Sequence, residues 1–244
     1  MKSATKKIVN KILIIHLLIP AFVINTKTFA ATTSQHWYTG GFLGTSLKAS
    51  GKTKIPSIDS KPPLTSEAVC GSGYMFGLNL GYKFAAPFRI ETELAYQNLP
   101  IKKIDDAIGP GTVVETKNSA TTITSLFING YYDLRLFPKF TPYLGLGLGY
   151  AYVDDTIHPN PSIQVAPSLY FTKKTIDYNM PAYQAIVGVQ YQIANDFSLT
   201  LNYKYFQTTE GKARGKTNLG TDDYTTKQTV TNNIISLGFE YSFD

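Results

Sequence analysis

The chain has 244 residues, a formal net charge of +6, three histidines and one cysteine. Five of its positive charges, Lys2, Lys6, Lys7, Lys11 and Lys27, lie in the first 30 residues, which hold no acid, so the remainder is close to +1 and gives no case for nucleic-acid binding. A single cysteine excludes an internal disulfide, and no run of 18 apolar residues after Ala30 offers a transmembrane helix.

The N-terminus has the layout of an export signal. Four lysines precede an apolar stretch at 12–24, and Thr28-Phe29-Ala30 places small residues where cleavage after Ala30 needs them. A membrane anchor is the other reading, but the apolar run falls short of the ~20 residues a spanning helix requires. Residues 1–30 are therefore expected to be a cleaved signal peptide and residues 31–244 one domain. No cysteine stands at the cleavage site to direct lipoprotein processing.

Beyond the signal, tyrosine, phenylalanine, glycine and threonine are plentiful and the hydrophobicity alternates with period two. A weak first strand, about 36–48, sets Trp37, Leu43 and Leu47 against Tyr38, Phe42 and Ser46. In the second, Tyr74, Phe76, Leu78, Leu80, Tyr82 and Phe84 oppose Met75, Gly77, Asn79, Gly81 and Lys83. After Ala85-Ala86-Pro87 the third sets Phe88, Ile90, Thr92, Leu94 and Tyr96 against Arg89, Glu91, Glu93, Ala95 and Gln97. The fourth opposes Leu126, Ile128, Gly130 and Tyr132 to Phe127, Asn129, Tyr131, Asp133 and Arg135. The fifth pairs Leu144, Leu146 and Leu148 with glycines. The sixth and seventh flank Ala194-Asn195-Asp196, with Lys204 on the polar face. The eighth sets Ile235, Leu237, Phe239, Tyr241 and Phe243 against Ser236, Gly238, Glu240 and Ser242.

Strands of about 9–13 residues match the length that crosses a bilayer when tilted. Short turns alternate with four long polar connections, about 49–72, 98–120, 154–179 and 207–230. The pattern predicts an all-β fold, an eight-stranded antiparallel up-and-down transmembrane β-barrel with both termini periplasmic and four long extracellular loops. A lipocalin-like barrel would turn the greasy face inward. Tyr and Phe at both ends of the greasy strands, and charge on the opposite face, favour a lipid-facing wall.

Three stretches carry a resemblance. Ser236-Leu237-Gly238-Phe239-Glu240-Tyr241-Ser242-Phe243 resembles the terminal insertion signal of outer-membrane barrels, with Asp244 as an extra residue. Pro142-Tyr143-Leu144-Gly145-Leu146-Gly147-Leu148-Gly149-Tyr150-Ala151 resembles a strand of OmpA-like and OmpX-like barrels. Tyr131-Tyr132-Asp133, Ala182-Tyr183-Gln184-Ala185 and Tyr203-Lys204-Tyr205-Phe206 resemble the surface-antigen family of rickettsial and Wolbachia-type bacteria. The resemblance covers the strands and none of the long connections. It implies an outer-membrane surface antigen with roles in membrane integrity and host contact, partnered by outer-membrane lipid. It further implies Gly238, Tyr241 and Phe243 as the signal read by the barrel assembly machinery. An OmpA-type periplasmic domain that grips peptidoglycan is not expected, because the sequence stops at the last strand.

The inward charges Lys83, Arg89, Glu91, Glu93, Asp133, Arg135, Lys204 and Glu240 are expected to form a paired network, because an eight-stranded barrel is just wide enough for side chains to fill. A gated small-solute path is the other reading of them. Glu91, Glu93, Arg89 and Arg135 are expected side by side. A lipid-modifying enzyme would need a nucleophile beside a base. Only His36 and His158 survive cleavage, without a motif around either, so no catalytic residue, cofactor or metal is assigned. The pairs Asp105-Asp106, Asp154-Asp155 and Asp222-Asp223 read as solvated loop charge, and Cys70 as an unpaired loop cysteine. Summed by connection, the loops carry +1, 0, −1 and +1, with Lys212, Arg214 and Lys216 opposed by Asp222 and Asp223, so no basic patch emerges. The expected function is surface contact through the loops with a host or extracellular ligand, with a porin-like channel as the alternative.

Overall fold

The computed structural model describes residues 35–55, 64–85, 87–106, 111, 113–134, 139–157, 174–216 and 223–243. The strands are β1 (His36–Ile55), β2 (Leu64–Cys70), β3 (Tyr74–Lys83), β4 (Phe88–Asp105), β5 (Val113–Asp133), β6 (Phe140–Ile157), β7 (Lys174–Gln192), β8 (Phe197–Thr208), β9 (Gly211–Lys216) and β10 (Asp223–Phe243). All neighbours run antiparallel, and β1 pairs with β10 from Trp37↔Phe243 to Lys54↔Lys227, which closes the sheet. The ten strands make eight staves. β2 continues β3 upward after a break at 71–73, pairing with β1 and β4. β9 continues β8 after 209–210 and pairs with β10.

The wall is inside out for the height of a bilayer. Leu146 and Leu148 are 74% and 75% exposed on the outer face, whereas Glu93 and Asn129 inside are 1% and 0% exposed. A belt of exposed Leu, Ile, Val, Tyr and Phe on this scale has no place in water. It is the wall that lipid requires, since only a closed barrel satisfies every strand's backbone there. The greasy face thus points outward, and the lipocalin arrangement does not apply. Aromatic pairs such as Trp37–Tyr82, Phe88–Tyr132 and Phe140–Tyr191 edge the belt at the end where the short turns lie.

The staves are longer than the sequence pattern indicated. β5 and β10 each run 21 residues, about twice what a crossing needs. Most described residues of the four expected loops are therefore strand: 49–55 and 64–70, 98–105 and 113–120, 154–157 and 174–179, 211–216 and 223–230. The reason is a reversal of polarity along each stave. On β5, outward Leu126 and Ile128 face inward Ser125 and Asn129; higher up, Thr122 and Thr124 face out while Ile123 is fully buried. On β7, Tyr183 and Val187 point out, but above them Asp177 and Asn179 do, with Tyr178 and Met180 inside. Above the belt the outer surface is wet, so the barrel takes on a water-soluble pattern. Its interior is an apolar core that includes Leu99, Ile123, Val153, Tyr178, Met180, Phe206 and Val230.

The repeated glycines serve the lumen. A side chain at Gly145 would collide with the ring of Tyr131, and one at Gly81 with that of Tyr38. Bare backbone at these points lets each ring lie over the neighbouring strand, on the residue it pairs with in register.

Candidate functional site

The lumen inside the belt is packed with seven of the eight charged residues named from the sequence, the seven that are described. Arg89, on β4, donates from Nε to Asp133 of β5 at 3.1 Å and from Nη1 to Glu240 of β10 at 2.7 Å. Its guanidinium carbon lies 4.3 Å from the ring centres of both Tyr131 and Tyr143, within cation–π range of each. Lys83 of β3 donates to the second Glu240 oxygen at 3.1 Å, as does Gln190 of β7. One carboxylate thus ties four staves.

A step higher, Lys204 of β8 reaches across to Glu93 of β4 at 2.7 Å, with side chains 3% and 1% exposed. Its ammonium sits 4.0 Å from the centre of the Phe42 ring. Glu91 accepts from four donors: Tyr38 at 3.0 Å, Asn79 at 2.7 Å, Tyr131 at 2.8 Å and Asn129 at 3.3 Å. No cation stands within ion-pair distance of it among the described residues. Asn129 also donates to Glu93, and Gln184 donates to Asn129 at 2.8 Å. Tyr143 donates to Asn202. The cavity left among these groups measures about 20 Å³, room for about one water.

The network is present, but its partners differ from the expected ones. Glu91 and Glu93 do not pair with Arg89. Lys204–Glu93 and Arg89–Glu240 join residues 111 and 151 positions apart, across the lumen, while Arg89–Asp133 links neighbouring staves. Arg135 lies outside the described residues. Gly238 faces inward against Phe42 and Thr200, while Tyr241 and Phe243 point out from the last turn of wall with their rings stacked.

Two loop assignments need correction. Asp155 is not solvated: it is 5% exposed in the apolar upper core, held by Thr121 Oγ1 and Gln228 Nε2, each at 2.6 Å. Burial pushes its carboxyl up to about 6. Cys70 is not a loop residue either. It ends β2, half-buried against the same core, and burial, with the nearby Asp155, raises its thiol to about 12, which makes it inert. Asp105 pairs with Lys103 at 3.0 Å. His36 starts β1 opposite Lys83 in register. His158 and Asp222 lie outside the described residues. Among the described residues no group of three or more His, Cys, Asp or Glu is arranged to hold a metal.

One feature escaped the sequence reading altogether. On the outer wall above the belt, Lys54, Lys227 and Lys212 stand in one row across β1, β10 and β9. They belong to the first and fourth connections, so a charge count taken loop by loop could not bring them together, and the expectation of no basic patch is overturned.

Comparison with known proteins agrees with this geometry. A family model described as "Outer membrane protein beta-barrel domain" matches residues 16–243. The outer membrane protein PagN of Salmonella typhimurium is 26% identical over 240 residues, covering 93% of this chain and 97% of that protein. A candidate adhesin of Rickettsia canadensis is 29% identical over 209 residues, covering 84% and 86%. Among solved structures, the outer membrane protein OprG from Pseudomonas aeruginosa superposes with a TM-score of 0.57 at 16% identity, over 88% of this chain and 98% of that one. The outer membrane protease OmpT from Escherichia coli gives 0.57 at 12% identity, over 90% and 100%. At these identities the two structures speak for the fold alone.

Proposed function

The chain belongs to the outer-membrane β-barrel domain family, and from that premise we propose that it is a surface-contact protein whose four raised hairpin ends meet a host cell or other extracellular ligand. The family places it in the bacterial outer membrane. In the proposed orientation the ends where β3 leads to β4, β5 to β6 and β7 to β8 face the periplasm together with His36 and Phe243, and the long-stave end faces outward. Residues 1–30 are the cleaved signal, 31–244 the barrel, and the Gly238, Tyr241 and Phe243 segment guides assembly. Outer-membrane lipid and the assembly machinery are the constitutive partners.

The observation that carries the reading is the contrast between the two halves of the barrel. The lumen is filled by side chains around a cavity of about 20 Å³, which speaks against a solute path. The staves meanwhile continue well past the lipid belt as a packed, water-soluble wall. A structure that only sealed or stiffened the membrane would have no use for that extension. A rigid base holding hairpin ends away from the bilayer is the usual arrangement for recognition. The relatives' names, an outer membrane protein and a candidate adhesin, point the same way. We assign no catalytic role.

Expression in a non-adherent bacterium tests the proposal. Cells carrying the whole barrel should gain host-cell binding. Cells in which 56–63, 107–112, 158–173 and 217–222 are each replaced by a two-residue turn should insert the barrel normally and lose that binding. Full binding by the trimmed barrel would move the activity to the wall or the lumen.

A further inference from the structure

We propose that the lysine row on the outer wall of β1, β10 and β9 is a binding site for the phosphorylated sugar headgroup of an anionic glycolipid in the same outer leaflet. Lys54 and Lys227 are directly opposite in register, as are Lys227 and Lys212. Cross-strand neighbours stand about 5 Å apart at their Cβ atoms, and like charges so placed repel. Among the described residues Glu210 is the one carboxylate set between them, 3.1 Å from Lys54 and 3.4 Å from Lys227. The hydrogen bonds from these two lysines, that from Lys54 foremost, hold its carboxyl below the usual range.

Two more outward lysines extend the patch downward. Lys52 is 3.8 Å from Glu67, and Lys48 is exposed beside Leu47, where a bulge turns both side chains out. Among the described side chains, five lysines against Glu67 and Glu210 leave a surplus of three positive charges on one face, bounded on the β2 side by Glu67 and its register partner Asp105. Between Lys52, Lys54, Gln207, Glu210, Lys227, Thr229 and Thr231 lies a surface cavity of about 230 Å³, with hydroxyls on its floor. That is room for a phosphate and part of a sugar.

Height above the belt selects the ligand. Tyr203 and Tyr205 of β8, in register with Ile235 and Asn233 of β10, mark the rim of the greasy wall. Lys52 pairs with Thr229, four residues above Asn233, and Lys227 is six above it. At about 3.3 Å per residue along a strand tilted by about 40°, these heights are about 10 and 15 Å. A phospholipid headgroup layer extends only about 5–8 Å beyond the hydrocarbon. Phosphates mounted on sugars reach the row while their acyl chains lie against Leu43, Leu47 and Leu237 below. A soluble polyanion would gain nothing from that apolar wall.

The inference rests on the outward orientation proposed above, and it is tested on purified protein without host cells, so its failure leaves the contact reading standing. The whole refolded barrel in neutral detergent is titrated with diphosphorylated lipid A, and binding is read from the rise in the temperature at which the folded gel band is lost. Each lysine near an anionic surface contributes about fivefold, so Lys54→Gln/Lys212→Gln/Lys227→Gln should weaken the apparent affinity by about 100-fold. The matching Lys→Arg set should keep it, and Lys139→Gln, at the opposite end, should change nothing. Dephosphorylated lipid A should not bind the unaltered protein, an arm that stands whatever the variants' folding. Unchanged affinity in the glutamine variant, or binding of the dephosphorylated lipid, overturns the proposal. So does saturation by inorganic phosphate or by a sulfated oligosaccharide at the lipid's own concentration, which would make the row a site for soluble anions.

Discussion

Removing one charge from the lumen gives the sharpest forecast. Lys204 and Glu93 meet at 2.7 Å with almost no exposure, and Oε1 of Glu93 has no hydrogen-bond donor among the described residues. Lys204→Met keeps the length and apolar stem of the side chain and its place beside Phe42, but it leaves Glu93 with Asn129 as its remaining donor. Orphaning one partner of a buried pair costs about 3–5 kcal/mol. That is a fifth or more of the roughly 5–15 kcal/mol that holds a typical domain folded. The double variant Lys204→Met/Glu93→Gln should recover most of the loss, because the uncompensated charge is gone. Lys227→Met, on the outer wall with 46% of its side chain exposed, should stay within about 1 kcal/mol of the parent. Guanidinium unfolding in detergent, followed by the fluorescence of Trp37, the single tryptophan, measures all three. The reasoning fails if Lys204→Met unfolds within about 1 kcal/mol of the parent, or if the double variant is no more stable than the single one. Either result would mean that water reaches Glu93 and that the lumen is wide and wet.

Asp155 gives a pH signature. Its carboxyl binds the proton more tightly folded, at about 6, than unfolded, near 3.8. Its contribution is therefore full below about 4 and is lost as pH rises through about 6, a change on the order of 3 kcal/mol. The parent should melt progressively lower between pH 4 and 7, and Asp155→Asn should flatten that slope; an unchanged slope would show that Asp155 is hydrated. Phe243→Ala should leave protein in the periplasm, whereas deletion of Asp244 should not reduce yield. Fractionation of expressing cells reads both, and normal membrane yield for the alanine variant would remove the assembly role from this segment.

The greasy belt was legible from the sequence because lipid imposes one rule on every stave: apolar residues out, polar or small residues in, with period two. Leu144, Leu146 and Leu148 against Gly145, Gly147 and Gly149 obey it without exception, and the inward position of Arg89, Glu91, Glu93 and Glu240 follows from parity alone. The upper staves were not legible as strands, because water reverses the rule. Ile123, Val153, Met180 and Val230 take the inward positions there, and Thr, Asn, Lys and Asp the outer ones. The parity runs on unbroken from Asn129 to Ile123, but the polarity changes sign, and a reader following hydrophobicity sees the pattern stop.

Partner choice was beyond reach for a different reason. Parity tells which way Glu93 points, but not that Lys204 comes to it across the lumen, which depends on the tilt and stagger of the closed sheet. The lysine row has the same origin. Lys54 lies near one end of the chain and Lys212 and Lys227 near the other, and they meet because β1 closes on β10 at one register. A shift of a single residue would turn Lys227 inward and dissolve the row.

The account turns on a sealed lumen beneath a raised, contact-making wall. Single-channel recording of the refolded barrel in planar bilayers tests this most directly. The packing around Arg89, Glu93, Lys204 and Glu240 predicts a silent protein, with no discrete conductance steps under applied voltage. Stable, repeatable steps from the unaltered barrel would contradict it, show an open path through the lumen, and put a small-solute channel in place of surface contact.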